Sequence, residues 1–283
     1  MSNLKHLPAT TSVNDVFVEM EENGAVIIDG FLSTEVLDRF NNEIDPLLET
    51  KSPTDACVNE MVALFHGDKT RHLTGVAGVS DTFVNDILLH SIYKAVGDHF
   101  LLPHCASYLL NLGHVLDRGP GSGGQILHRD HDVWPRRMGG AYQQRMFASL
   151  IALSEYTAEM GATRLVPGSH KWPLDREAKP EEVVAAEMEP GSAVLYLGSV
   201  LHAAGSNTTN RRRRGMHTSF CLGFLRTEEN NILSTPMERV RKMPRRAQEL
   251  LGFGVYDGME FGEGFLGALD NRNPLDLIAA GDV

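Results

Sequence analysis

The chain reads as mainly β with flanking helices, in the form of a barrel or double-sheet jelly roll, on three observations. Short apolar runs at 107–112, 145–153, 163–167, 193–197 and 216–225 alternate with Gly, Pro and Asn turns, the punctuation that many short strands require. Helical spacing is confined to the flanks. A length of 283 residues suits one large all-β domain.

In chain order, Glu22 to Phe31 predicts a strand, with Ala25-Val26-Ile27-Ile28 bounded by Gly24 and Gly30. A helix follows. Ser33 or Thr34 can cap it, Glu35 suits its first turn, and Val36, Leu37, Phe40, Ile44, Leu47 and Leu48 recur at helical spacing. Residues 51–80 read as irregular. A second helix is expected from Val84 to His99 through Ile87, Leu88, Ile92 and Val96. The strand-like runs come next, and the tail from Thr235 to Gly252 is helical again, interrupted by Pro244. No repeat or linker divides the chain. One domain is therefore expected over 1–283, with a helical part to about 105, a β core over about 106–226 and a helical tail over about 227–283.

The densest chemical signal is Gln125-Ile126-Leu127-His128-Arg129-Asp130-His131-Asp132. On an extended segment, residues two apart point to one side, so His128 and Asp130 can present two ligands to one face of a metal. A third ligand must come from a distant strand, and His202 in Gly198-Ser199-Val200-Leu201-His202 offers one. Two His and one carboxylate leave three positions open on iron(II), the arrangement of non-haem iron oxygenases. The segment follows the glycine-rich stretch Gly119 to Gly124 and precedes an alternating pattern from Arg145 to Leu153. That places it at a strand mouth, where sites cluster. His131 and Asp132 remain alternative ligands; the two-residue offset favours His128 with Asp130. The zincin helix motif is absent.

Hydrophobic residues make up 42% and charged residues 22%, the composition of a globular chain with a substantial core. A net charge of −11 opposes nucleic acid, and the basic run Arg211-Arg212-Arg213-Arg214 is too short to reverse that. No window approaches the roughly 18 apolar residues of a membrane span. Met1 to Pro8 lacks a secretory apolar region and Gly281-Asp282-Val283 is no peroxisomal address. Cys57, Cys105 and Cys221 are too scattered for a structural zinc site or a disulfide framework. A cytoplasmic protein acting on a small molecule is expected, with no nucleic-acid or membrane partner and a homodimer as a candidate assembly.

An oxygenase of this kind needs two electrons besides those of its substrate. A 2-oxo acid supplies them by chelating iron through two oxygens and losing carbon dioxide. Its distal carboxylate then calls for a buried Arg, whose planar fork grips both oxygens. With alternation of period two, Arg213 shares a small, polar face with Gly215, His217, Ser219 and Cys221. Arg214 shares the other face with Met216, Thr218, Phe220 and Leu222. Arg213 is the expected carboxylate ligand, with Arg211 or Arg214 as alternatives if a bulge shifts the phase.

These residues lead to a family. The segments Glu22-Asn23-Gly24-Ala25-Val26-Ile27-Ile28, Gln125 to Asp130, Gly161-Ala162-Thr163-Arg164-Leu165-Val166-Pro167-Gly168-Ser169-His170-Lys171-Trp172, Glu189-Pro190-Gly191-Ser192-Ala193 and His202 through Asn207 to the Arg run occur in one order over about 22 to 225. In them the chain resembles the phytanoyl-CoA dioxygenase family of iron(II)/2-oxoglutarate oxygenases, and among these the members that tailor fungal alkaloids and meroterpenoids, such as verruculogen synthase. The resemblance implies a double-stranded β-helix (jelly-roll, cupin-like) core. It implies iron(II) held by His128, Asp130 and His202, with 2-oxoglutarate as co-substrate and O2 as oxidant. It further implies that Arg213, Gln125 and Thr163 contact 2-oxoglutarate, and that Arg71 in Thr70-Arg71-His72-Leu73 corresponds to a basic residue that relatives direct at the co-substrate. Relatives often carry a second Asp directly after the His-x-Asp pair where this chain has His131, which leaves His131 as a substrate contact or a support for a ligand.

The reaction expected is hydroxylation, desaturation or rearrangement at an unactivated C–H of a small, mostly apolar natural product of secondary metabolism. Trp134, Leu73 and Met138 are candidate pocket walls, and His131 and Arg137 candidate polar contacts. Trp134 has packing as its other reading. His170 and Trp172 read as structural, and His217 as a lumen or core histidine. Two alternatives come from other classes: a metal-dependent hydrolase that uses the same His and Asp residues to activate water, and a non-catalytic β-barrel binding module that holds no iron.

Overall fold

A computed structural model describes residues 4–53, 59–135 and 144–283. Met138, Arg137 and Cys57 lie outside the described residues. The elements are β1 (His6–Pro8), α1 (Val13–Asn23), β2 (Ala25–Asp29), α2 (Thr34–Glu49), α3 (Glu60–His66), β3 (Thr70–Leu73), α4 (Ser91–Phe100), β4 (Tyr108–Arg118), β5 (Met146–Ala152), β6 (Thr163–Leu165), β7 (Val184–Ala185), β8 (Ala193–Leu197), β9 (His202–Ala204) and β10 (Arg213–Leu222). The tail adds α5 (Asn231–Ser234), α6 (Met237–Val240), α7 (Arg245–Leu250), β11 (Tyr256–Asp257), β12 (Phe265–Leu266) and α8 (Pro274–Ala280).

Seven strands form the major sheet in the order β1-β2-β8-β5-β10-β4-β3, and β7-β6-β9 form a minor sheet. All pairs in the two sheets are antiparallel except β1 with β2. This is the double-stranded β-helix expected. Its two sheets face one another, so each strand of the major sheet has a lumen side and an outer side. Helices cover the outer side. On α2, Ser33 Oγ accepts from the Val36 N–H at 3.3 Å, capping a free N-terminal donor. Leu37, Phe40, Ile44 and Leu48 recur on its buried face. The rings of Phe147 on β5 and Phe220 on β10 stack at 5.0 Å on the same side, with Tyr93 of α4 against both. Arg214 also points outward, where it pairs with Asp45 of α2. Gly24 ends α1 at φ 76°, and a Cβ there would sit 2.5 Å from His170 Nδ1 and from Val200; His170 is structural, as expected.

Three expectations about elements fail for physical reasons. Residues 51–80 are not irregular throughout, because α3 and β3 lie within them. Both are short, and β3 gains its hydrogen bonds from β4, which local sequence does not encode. The helix expected from Val84 to His99 is broken. A π-turn spans Phe83–Ile87, and α4 begins at Ser91 with the His90 ring accepting from the Ile92 N–H at 3.3 Å. The His90 ring packs on Phe31 at 4.0 Å, a tertiary contact that overrides helical spacing. The strand expected over 107–112 runs on to Arg118. Its outer side carries Val115 and then Asp117, which pairs with Arg212 at 2.8 Å, while its lumen side carries His114 and Arg118. The N-terminal part also contributes three strands to the major sheet, and the tail includes the β11–β12 hairpin. No described helix is long and apolar enough to cross a membrane.

On the lumen side His72 Nδ1 and His114 Nε2 lie 2.8 Å apart across β3 and β4. Burial holds the His114 ring well below its ordinary value of 6.5, and the neighbouring His72, His66 and His217 push it the same way. The unfolded chain therefore takes up a proton on acidification that folded His114 resists. The stability contributed by the neutral ring is complete above about pH 6.5 and is lost as pH falls toward the depressed folded value. Thermal melts of the protein and of His114→Gln from about pH 7 to about pH 5 should show a smaller acid-induced fall in Tm for the variant.

Candidate metal centre and its pocket

The residues that converge come from two places in the chain. His128 lies just before a single 3-10 turn, Asp130–Val133, and His202 opens β9. A reciprocal pair of backbone hydrogen bonds, each N–H donating to the other's carbonyl at 2.9 Å, locks His128 to His202. Their rings lie 4.4 Å apart. Asp130 Oδ1 is 3.5 Å from His128 Nε2 and 3.2 Å from His202 Nε2. One ligand atom from each residue lies within 4.8 Å of the other two. Both rings are oriented from behind. His128 Nδ1–H donates to the Ile126 carbonyl at 3.0 Å and His202 Nδ1–H to the Val200 carbonyl at 3.2 Å. That leaves each Nε2 lone pair directed at the common centre. Burial favours a neutral Asp130, yet His202, His128 and His217 together hold its carboxyl well below the usual range.

The centre opens on a cavity of about 400 Å³. The register of β10 explains its far end. His217 stands opposite His114 and Leu150, and Arg213 stands opposite Arg118, all on the lumen side. Arg213 is 1% exposed. It donates from Nη2 to the Gly161 carbonyl at 2.5 Å and lies over the Tyr156 ring at 4.4 Å. Tyr156 Oη and Thr163 Oγ1 are 3.0 Å apart beside it. Arg118 donates to the Gly123 carbonyl. Burial, and then the nearby Arg213, lower its pKa to about 10. The buried Nε atoms of Arg213 and Arg118 have no hydrogen-bond partner in the protein. Two such cations side by side make an anion site.

Gln125 also lines the pocket, although alternation from His128 would turn it away. Its Oε1 accepts from the Ala204 N–H at 3.0 Å and its Nε2 donates to the Phe65 carbonyl at 3.2 Å. Phe65 in turn sets its ring edge on His128 at 4.8 Å. Arg71 is not among the pocket-lining residues. It pairs in register with Asp117, and Thr70 and His72 hold the lumen side of β3. Arg118 is the cation there instead. A reading of the β4 alternation beyond residue 112, through His114 and Leu116, finds it.

His131 is also absent from the pocket lining; it turns toward Asp132 at 3.7 Å. Trp134 is 7% exposed and donates its indole N–H to the Arg226 carbonyl at 2.9 Å, so packing is its role and Val133 takes the wall position. Leu73 faces the outer side with Val115. The sequence reading missed Tyr156, Tyr196 and Glu228, all of which line the pocket. Glu228 stands at its rim, where Asn111 Nδ2 donates to its carboxylate at 2.7 Å.

Known proteins are similar to this chain in sequence and in fold. The dioxygenase olcK of Penicillium canescens is 33% identical over 250 residues, which is 87% of this chain and 82% of olcK. The multifunctional dioxygenase prhA of Penicillium brasilianum is 35% identical over 263 residues, covering 88% of this chain and 86% of prhA. Among solved structures, the epimerase SnoN in complex with Fe3+, alpha ketoglutarate and nogalamycin RO superposes with a TM-score of 0.59. It is 18% identical, over 75% of this chain and 84% of SnoN, a likeness of fold. The family profile of phytanoyl-CoA dioxygenase (PhyH) matches residues 20–215, and with these relatives it shows that the chain belongs to the phytanoyl-CoA dioxygenase family.

Proposed function

We propose that this single-domain chain is an iron(II)- and 2-oxoglutarate-dependent dioxygenase that oxidises an unactivated C–H of a compact, mostly apolar natural product. One observation carries the reading. The cavity has a three-ligand metal-binding end at His128, Asp130 and His202, and an anion-binding end at Arg213 and Arg118. A dicarboxylate that chelates a metal through one end needs both. Bound iron supplies the oxidising chemistry, in which 2-oxoglutarate and O2 become succinate and carbon dioxide while one oxygen atom or two oxidising equivalents reach the substrate.

The chain's own residues divide the remaining work. Arg213 and Arg118 hold the distal carboxylate, and the Tyr156–Thr163 pair supplies hydroxyls beside it. Gln125 ties the segment before His128 to β9 and to α3. Leu112, Leu150, Val133, Phe65 and Met61 give the open side an apolar wall, and His217 and Glu228 add polar groups, the usual make-up of a small-molecule site. Excluding water there keeps the oxidising equivalents on the bound substrate. Free, buried Cys105 and Cys221 support a reducing, cytoplasmic setting.

Anaerobic titration of the iron(II) protein with 2-oxoglutarate should produce a weak visible charge-transfer band. His128→Ala should abolish both the band and iron(II) binding while remaining folded by circular dichroism. Turnover under nitrogen without a 2-oxo acid would instead mark a hydrolase.

Arg213→Lys keeps the charge and loses the fork. Steady-state assays with varied 2-oxoglutarate should give a KM raised about tenfold or more, with most of kcat recovered at saturation, since the contact binds ground and transition states alike.

Candidate terpenoids and alkaloids should stimulate succinate release above the uncoupled rate. Stimulation by acyl thioesters of coenzyme A alone would overturn the proposed substrate class.

A further inference from the structure

The two oxygens of Asp130 sit in different surroundings. Oδ1 faces His128 and His202. Oδ2 points the other way, where it accepts from the Tyr196 hydroxyl at 3.1 Å and lies 3.5 Å from His217 Nε2. Tyr196 is fully buried on β8, and its hydroxyl also lies 3.5 Å from His202 Nε2. His217 comes from β10, so the two groups reach Asp130 from strands on either side of β5. Neither belongs to the anion-binding end of the pocket, and neither is one of the three metal ligands.

We propose that Tyr196 and His217 are positioning residues that engage Oδ2 of Asp130, so that Oδ1 alone would be offered to a bound metal. The inference rests on His128, Asp130 and His202 being the metal ligands. Its consequence is a count of coordination positions. Three single-atom ligands leave three positions on an octahedral iron(II), two for a chelating 2-oxo acid and one for O2. A carboxylate that turned to bind through both oxygens would occupy one of those three. Two hydrogen-bonding groups behind Oδ2 oppose that turn, because the carboxylate would have to leave them to make it. Groups that orient a ligand from outside also raise affinity for the metal.

The test uses the full chain with iron(II) and 2-oxoglutarate under anaerobic conditions. Four readouts are compared with the parent: the iron(II) dissociation constant, the near-infrared ligand-field bands that report coordination number, the succinate formed per substrate oxidised, and Tm. Tyr196→Phe removes one oxygen and keeps the ring. It should weaken iron(II) binding on the order of 10–100-fold, shift the ligand-field bands and raise succinate formed per substrate oxidised, with Tm unchanged. His217→Phe should do the same. His217→Gln, whose amide still donates to Oδ2, should restore most of the parent behaviour.

Parent-like iron(II) affinity and ligand-field bands in both phenylalanine variants overturn the proposal, as does an effect confined to Tm. His128→Ala separates the two levels. If it abolishes iron(II) binding while Tyr196→Phe changes nothing, the ligand set stands and the positioning role falls. If His128→Ala binds iron(II) like the parent, the ligand set itself falls.

Discussion

The site depends on one local interaction, the reciprocal pair of backbone hydrogen bonds between His128 and His202. It joins the segment after the glycine-rich loop to β9 of the minor sheet and brings together two ligands that are remote in sequence. The extended backbone ends there. The 3-10 turn beginning at Asp130 swings that carboxylate back under both rings. Each His ring is then held by a carbonyl two residues earlier in its own chain. Ring orientation is thus decided by backbone geometry, which folding sets, rather than by side-chain rotamers that could drift.

A second constraint follows from burial. Helices cover the outer side of the major sheet, where Arg214 of β10 and Asp117 of β4 find oppositely charged partners in Asp45 and Arg212, and the lumen takes the cations that have none. There Arg213 and Arg118 stand side by side in register, far from water and each with a buried Nε unmatched by the protein. Burying cations this way is costly without an anion to meet them. At the opposite end Asp130 is kept ionised by the three histidines that face it. The pocket is therefore polarised along its length, with metal ligands at one end and cations at the other, so a dicarboxylate that would chelate a bound metal through one end meets the arginines with the other. The apolar wall from Phe65, Leu112 and Leu150 lies to the open side, where a substrate can approach the same centre without competing for the arginines.

Much of this was legible in the residues because it rests on short-range rules. The α2 helix follows from its Ser33 cap and its apolar spacing, β2 from an apolar run between glycines, and the lumen-facing choice of Arg213 over Arg214 from simple alternation. The broken helix before α4 was not legible, since Phe31 packing on His90 is a contact between distant segments. Arg71 marks where similarity and register part. Motif similarity pointed to a basic residue on β3, but pairing with β4 puts Arg71 on the outer side and gives the position in the lumen to Arg118. A one-residue difference in strand phase exchanges the two faces, and similarity of short segments does not resolve that phase.

What this sequence determined by itself was the class of the fold, the identity of the three candidate ligands and the cation at the far end of the pocket. Composition, period-two alternation and spacing within short motifs carry that information, because each reflects forces acting over a few residues. Tertiary structure alone decided which groups surround those residues. It placed Tyr196 and His217 behind Asp130, set Arg118 beside Arg213, turned His131 and Trp134 out of the pocket, and brought Gln125 in. Those outcomes depend on sheet register and on the turn at Asp130, where hydrogen bonds between distant strands choose among arrangements that local sequence leaves equally open.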